Sequence, residues 1–291
     1  MLITDKVSSS RGYVEWSHVE WNQGQPYASA FQDVYFSSDN GLLETEYVFL
    51  QGNQLSARWK NLKENSFTIA ETGFGTGLNF LCAAKLWLET APQEAVLHFI
   101  SLEKYPVNIA DLTCALQLWP ELQEFSKPFL AAYENLLPTE LLNKALTLNK
   151  VAPINKEPSL NKMQDFNQFK SVTLFDNRIQ LTLLIGDATD CLKTINLEKF
   201  SLKSSSIAAV DAWFLDGFSP AKNPEMWQSA LFEQMAKLSN QNTTFATFTS
   251  AGAVRRGLIA AGFAVNKKVG FGKKREMLFG NFLNDTRTIQ K

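Results

Sequence analysis

"FTIAETGFGTGLNFLCAAKLWLET", residues 67–90, constrains the fold more than any other stretch of the chain. Phe67 to Glu71 is an apolar run that closes on an acid, the pattern of a strand buried on both faces. Glycine then recurs at Gly73, Gly75 and Gly77. From Gly77 onward, apolar residues fall at helical spacing among strong helix formers. A buried strand, a glycine turn and a helix in direct succession begin a parallel βαβ unit. The rest of the domain must then supply parallel neighbours and covering helices.

It does so. "VLHFISLE" (96–103) reads as a second strand, with Pro106 suited to the first turn of the next helix. "SVTLFDNRIQLTLLIGDA" (171–188) reads as two strands that turn at Asp176-Asn177. "AAVDAWFLD" (208–216) is a further core strand. "NPEMWQSALFEQMAKLS" (223–239) is predicted as one helix with Pro224 near its start. "TTFATFT" (243–249) is a strand, "AGAVRRGLIAAG" (251–262) a short helix closed by Gly262, and "FAVNKKVGFGKKREMLFGNF" an antiparallel pair. The fold class is α/β, a mostly parallel sheet covered on both faces. Residues 1–62, rich in aromatics, are predicted to be an N-terminal extension packed on the main domain of residues 63–291. A polar stretch rich in Asn and Lys, at about 138–170, reads as a partly mobile insertion.

Composition narrows the function classes. A net charge of −1 over 291 residues gives no global attraction to nucleic acid or to an acidic membrane. Apolar runs are too short to cross a bilayer, and the N-terminus lacks the apolar core of a signal peptide. Cys82, Cys114 and Cys191 have no C-x-x-C spacing, which fits free buried thiols in a reducing cytoplasm. With two histidines in the chain, a metal site is not expected. His98, inside the second strand, reads as a core residue.

The glycine turn has the pattern Glu71-x-Gly73-x-Gly75-x-Gly77. Glycines let a ligand lie against bare backbone. A dinucleotide loop would be G-x-G-x-x-G; here the third glycine comes one residue early and an acid precedes the loop. A carboxylate there disfavours a phosphate and suits the amino group or sulfonium of S-adenosylmethionine. Glu103, ending the second strand, stands where α/β nucleotide folds place an acceptor for ribose hydroxyls. Asp187, in "LLIGDA", is a candidate contact for the adenine amino group. Phe74, Asn79, Lys104, Ala188, Gly217 and Phe218 lie in the same loops and join the candidate cofactor contacts. Asp216 ends the strand predicted to lie beside the glycine-loop strand. There it can accept a hydrogen bond from an amine and orient its lone pair, in a loop stiffened by Pro220 and Pro224. Its plain alternative is a turn or cap residue.

"AETGFGTGLNFL", "EKYP", "FLDGFSPAKNPEMW" and "GFGKKREML", with "FQDVYFSSDNGLLETEYVFLQGNQLSARW" upstream, resemble one known family. It is the N-terminal methyltransferase domain of the tRNA 5-methylaminomethyl-2-thiouridine biosynthesis bifunctional proteins. The resemblance covers roughly residues 14–136 and 175–283. It implies a Rossmann-like class I methyltransferase with a seven-stranded sheet, using S-adenosylmethionine to methylate the aminomethyl group of a tRNA wobble uridine. Asp216 would be the catalytic acid. Bifunctional members also carry an FAD-dependent oxidoreductase that makes the aminomethyl substrate. This sequence leaves open an excised domain or a stand-alone enzyme with a separate oxidoreductase.

A tRNA substrate needs cations for its phosphates. No Asp or Glu occurs from Gln234 to Arg275, a stretch that holds Arg255, Lys267, Lys268, Lys273, Lys274 and Arg275. These residues, with Lys222 in the Asp216 loop, are the candidate RNA contacts. Tyr35 and Phe36 are candidates to stack on a splayed base, or else core aromatics. The predicted activity is tRNA wobble-uridine N-methylation in the cytoplasm, with no metal and no membrane. The alternatives are a methyltransferase for a small-molecule amine, a nicotinamide dehydrogenase and a non-enzymatic RNA-binding module.

Overall fold

The computed structural model describes residues 15–36, 40–139, 141–142, 169–197 and 209–283. The chain enters through a small antiparallel sheet of β1 (Val19–Asn22), β2 (Gln25–Ala28) and β3 (Asp33–Val34). Helix α1 (Gly41–Thr45) follows, capped by the Asn40 side chain on the Leu43 N–H, and runs into a π turn, Glu46–Leu50. Helix α2 (Leu55–Lys60) leads to the apolar run, which forms β4 (Ser66–Glu71).

The parallel unit then builds outward. Gly77 starts α3 (Leu78–Thr90), and β5 (Val96–Glu103) pairs in parallel with β4. After α4 (Ile109–Gln117) and α5 (Gln123–Tyr133) come β6 (Lys170–Leu174) and β7 (Ile179–Ile185), the latter parallel to β5. Helix α6 (Ala188–Thr194) precedes β8 (Val210–Phe214), which returns to the other edge of β4. Helix α7 (Ser229–Lys237), β9 (Ser239–Thr247), α8 (Gly252–Ala260), β10 (Phe263–Val269) and β11 (Glu276–Phe282) complete the order β10-β11-β9-β8-β4-β5-β7-β6.

Among the described residues the sheet therefore has eight strands, as the strand-by-strand reading gives, against the seven that the family resemblance implies. The additional edge is β6, antiparallel to β7. Phe175, Asp176 and Asn177 all take positive φ (54°, 53° and 65°), so the chain reverses tightly and β6 covers an edge that β7 would leave open. The predicted helix over 223–239 is also broken. A 3₁₀ turn spans Pro224–Trp227, Gln228 is extended, and α7 begins afterwards. Trp227 causes the break: its buried ring turns inward and Nε1 donates to the Phe218 carbonyl at 2.9 Å. Strand β9 starts at Ser239, four residues ahead of the predicted Thr243.

Strand alternation divides the core. Phe67 and Ile69 face α1 to α5, while Ala70, Ile100 and Trp213 face α6, α7 and α8. His98 is buried as expected, its Nδ1 2.9 Å from Gln180 Oε1. Cys114 corrects the expectation of buried thiols. It is exposed, because α4 turns Leu112, Ala115 and Leu116 inward.

The segment ahead of β4 is tied to the sheet by buried groups. Trp59 of α2 is fully buried, edge-on to Phe67 at 5.7 Å and to Trp87 at 5.1 Å. Arg58 donates to Thr244 Oγ1 at 2.8 Å and to the Asp211 carbonyl at 3.1 Å. Burial pushes the Asp211 carboxyl up to about 6, although its Oδ2 accepts from the Thr68 N–H at 2.7 Å. The predicted insertion at about 138–170 lies largely outside the described residues. Among the described residues, no helix is long and apolar enough to cross a membrane.

Candidate active site

The chain moves outward from β4 to β5 and β7, then comes back to β8. The switch point thus lies between β4 and β8, where open α/β sheets form a ligand crevice beyond the strand ends. A cavity of about 400 Å³ occupies this place.

Two loops meet at its base. Gly73 of the glycine turn packs directly on the loop after β8. A Cβ on Gly73 would lie 3.0 Å from both the Asp216 carbonyl oxygen and the Gly217 Cα. Thr72 joins the loops by donating its N–H to the Phe214 carbonyl at 3.2 Å and its hydroxyl to the Asp216 carbonyl at 2.7 Å. Gly75 and Gly77 hold positive φ, 52° and 72°, which glycine adopts at least cost.

Asp216 borders the cavity with one edge. Its Oδ1 accepts from the Gly217 N–H at 2.8 Å and its Oδ2 from Asn79 Nδ2 at 2.6 Å. Burial pushes its carboxyl up to about 6, opposed by those hydrogen bonds and by Lys274. The loop beyond is held from outside the sheet. Asp33 Oδ2 accepts from the Ser219 N–H at 3.0 Å, and Phe31 stacks on Phe218 with centroids 4.4 Å apart.

Glu71 does not border the cavity, which corrects its assignment as a cofactor contact. It is fully buried beneath the loop, and its oxygens accept from Asn79 Nδ2 at 2.8 Å and Ser101 Oγ at 2.7 Å. Its position follows from the register: Glu71 pairs with Ser101 across β4 and β5, so both side chains point to one face. Burial, reinforced by Asp216, raises the Glu71 carboxyl well above the usual range. One amide thus bridges two acids. Glu71 is sealed beneath the loop, whereas Asp216 is the member that borders the cavity.

The other side of the cavity is formed by the ends of β5 and β7. Glu103 accepts from the Gly75 N–H at 2.9 Å and the Tyr105 N–H at 2.8 Å, which fixes the loop against β5. Its remaining lone pairs suit ligand hydroxyls. Asp187 caps α6 through Oδ1, accepting from Thr189 N–H at 3.0 Å, and its Oδ2 lies 3.9 Å from Lys104 Nζ. Phe74, Lys104, Ala188, Gly217 and Phe218 also line the cavity; Gly77 does not. Tyr35 lines it edge-on to Phe218 at 5.5 Å, its hydroxyl bonded to Ser17 Oγ and pushed up to about 12 by burial. Phe36 lines it packed on Trp119 at 5.3 Å. Sequence reasoning missed Asp33, Thr45, Phe49, Met226 and Phe248, which also belong to the lining.

The basic residues divide. Lys274 lines the cavity, where it pairs with Glu44 Oε1 at 2.6 Å and lies 4.2 Å above the Phe248 ring. Lys267 pairs with Glu276 at 2.6 Å, and Lys268 lies over the Tyr47 ring at 4.3 Å, its ammonium lowered by burial. Lys222, Arg255, Lys273 and Arg275 are exposed and do not line the cavity. Among the described residues, no group of three or more His, Cys, Asp or Glu could hold a metal ion.

A 400 Å³ cleft is within the range for a cofactor-sized molecule. The lining fits S-adenosylmethionine: the glycine turn would offer it bare backbone, and the Glu103, Asp187 and Asp216 carboxylates could accept from its hydroxyl and amino groups. Known proteins point the same way. A family model described as S-adenosyl-L-methionine-dependent methyltransferase matches residues 149–282. The chain is 46% identical over 273 residues to the tRNA 5-methylaminomethyl-2-thiouridine biosynthesis bifunctional protein MnmC of Methylobacillus flagellatus, covering 94% of this chain and 36% of that one. The protein of the same name from Aeromonas hydrophila is 47% identical over 268 residues, covering 91% and 35%. The chain thus spans about a third of the length of these curated relatives. The crystal structure of MnmC2 from Aquifex aeolicus superposes with a TM-score of 0.57 at 19% identity, over 92% of this chain and 70% of that one.

Proposed function

The chain belongs to the MnmC-related S-adenosyl-L-methionine-dependent methyltransferases, and from that premise we propose that it methylates the 5-aminomethyl group of a wobble 2-thiouridine in tRNA. The observation that carries this reading is Asp216, an ionisable acid fixed by two hydrogen bonds where the glycine turn meets the open cavity. Bound there, S-adenosylmethionine supplies an electrophilic methyl group. The glycine turn offers bare backbone, while Glu103 and Asp187 offer acceptors at the far side. Asp216 accepts a hydrogen bond from the substrate amine, aims its lone pair and offsets the charge that grows on nitrogen. Tyr35 and Phe36 form the aromatic rim on the base side. Most of the rate gain on this reading is alignment, the term largest for two bound reactants.

The test is methyl transfer from labelled S-adenosylmethionine to tRNA whose wobble uridine carries a free aminomethyl group. Label should appear on that nitrogen; none above background would refute the reading. In keeping with it, the protein works in the cytoplasm, and an FAD-dependent oxidoreductase, fused or separate, supplies the aminomethyl group.

One observation favours a small-molecule amine instead: Lys267, Lys268 and Lys274 are engaged within the protein. The exposed cations decide between the two. Neutralising Lys222, Arg255 and Arg275 together should weaken tRNA binding and flatten its salt dependence, by about one unit of slope for each phosphate no longer neutralised. Lys267→Gln should leave the slope unchanged. A slope equal to wild type in the triple variant would favour the small-molecule acceptor.

A further inference from the structure

The amide that bridges the two buried acids is itself held from a third side. Asn79 Nδ2 has two hydrogens, and both are taken, by Glu71 Oε1 at 2.8 Å and Asp216 Oδ2 at 2.6 Å. The opposite atom, Oδ1, accepts from the Thr45 hydroxyl at 2.7 Å. Thr45 and Asn79 are both buried. We propose that Thr45 is a positioning residue for Asp216: its hydroxyl locks the Asn79 amide in the one orientation that presents both hydrogens to the carboxylates. This inference deepens the proposed function and rests on it for its catalytic meaning.

Donors and acceptors decide the orientation. An amide is nearly symmetric in shape, so packing alone does not choose between its two flips. Reversed, Asn79 would aim its oxygen at two acids and leave Asp216 Oδ2 without a donor. The Thr45 hydroxyl gives Asn79 Oδ1 a buried donor, and a buried acceptor without one is costly. The carboxylate oxygens set the flip, and the Thr45 hydroxyl completes it by donating to Oδ1, which strengthens the N–H groups through the shared chain.

The backbone makes this contact possible. Thr45 is the last residue of α1, at the point where the helix widens into the π turn. The Gln51 N–H bonds the Glu46 carbonyl, five residues back, at 2.9 Å. Such turns shift a helix face and recur at functional sites. Here Glu44, Thr45 and Phe49 all line the cavity.

The charged groups around Asp216 are Glu71 from β4, Glu44 from α1 and Lys274 from the β10–β11 loop; Glu103 from β5 acts in turn on Glu71. Substituting Thr45 changes none of these charges, so a change in Asp216 titration would report the hydrogen-bond chain itself.

The experiment follows the Asp216 side-chain carboxyl by ¹³C NMR titration of the full chain without ligands, the resonance assigned by its loss in Asp216→Asn. Thr45→Val, which keeps the shape and removes the donor, should raise the titration midpoint by about one pH unit, a tenfold change in proton affinity. Thr45→Ala should move it the same way, which covers a folding failure of the valine variant. Thr45→Ser should restore it. An unchanged midpoint in the valine or alanine variant, or no restoration by serine, overturns the inference.

Methyl-transfer profiles of the same variants separate this from the broader reading. The acid limb of the rate should move with the NMR midpoint. If the midpoint moves and the limb does not, Thr45 still positions Asp216, but the role of Asp216 in the proposed reaction fails.

Discussion

Asp216→Ala is expected to lower the rate of the methyl-transfer step by ~10²–10⁴, the scale for a positioned polar catalyst. Asp216→Asn should fall between alanine and wild type if orientation and charge both matter, and as low as alanine if charge dominates. Single-turnover kinetics at saturating S-adenosylmethionine and tRNA isolate that step, and wild-type rates in both variants would remove the acid from the mechanism. The same carboxyl predicts a pH dependence. Its value is pushed from 3.8 to about 6 by burial, so the active, ionised form is lost and the rate falls as pH drops through about 6.

Stability runs the other way. A carboxyl raised on folding contributes stability that is fully present below pH 3.8 and lost as pH rises through about 6. Above that, the ionised acid costs roughly 3 kcal/mol at about 1.4 kcal/mol per pH unit. Asp216→Asn should thus resist urea better than wild type at pH 8 and lose about half of that advantage at pH 5. Equal midpoints at pH 8 would show that its hydrogen bonds offset its burial.

Gly73→Val carries the second large effect. Its Cβ would stand 3.0 Å from Asp216 and Gly217 backbone atoms, with no flexible side chain to yield. The two loops must separate, at a cost of about 1–3 kcal/mol for such overpacking, or roughly 10–100-fold in any function that needs them together. S-adenosylmethionine affinity and the transfer rate should both fall. Gly75→Val, whose Cβ would meet the Tyr35 ring at an ordinary contact distance of 3.5 Å, should suffer from its left-handed backbone instead of from a clash. Calorimetry that finds wild-type affinity in Gly73→Val would separate the glycine turn from the ligand site.

The parts legible in the sequence were those set by local pattern. The bounds of β5 agree with the prediction to the residue, and β4 and α3 to within one. The Asp176-Asn177 turn also stands where predicted. What failed was set by distant partners. The 223–239 helix breaks because Trp227 answers to Phe218. Glu71 follows Ser101 into the interior, and only strand alternation hinted that it faced a different side from its loop. The acid-free stretch ends one residue before Glu276, and across the hairpin that glutamate takes Lys267. Thr45 and Asp33 reach the site over sequence separations of 34 and 186 residues, which no local pattern encodes.

The Asp33 bond to Ser219 has a consequence for how this protein can change over time. The rim on the base side, on the proposed reading, is written in residues 31–36, while the donor side is written in the glycine turn and the ends of β5 and β7. The two halves are inherited as separate text. Drift in the first can tune which nucleophile is admitted while the second stays fixed, so new acceptors can arise on an unchanged methyl-donor chassis.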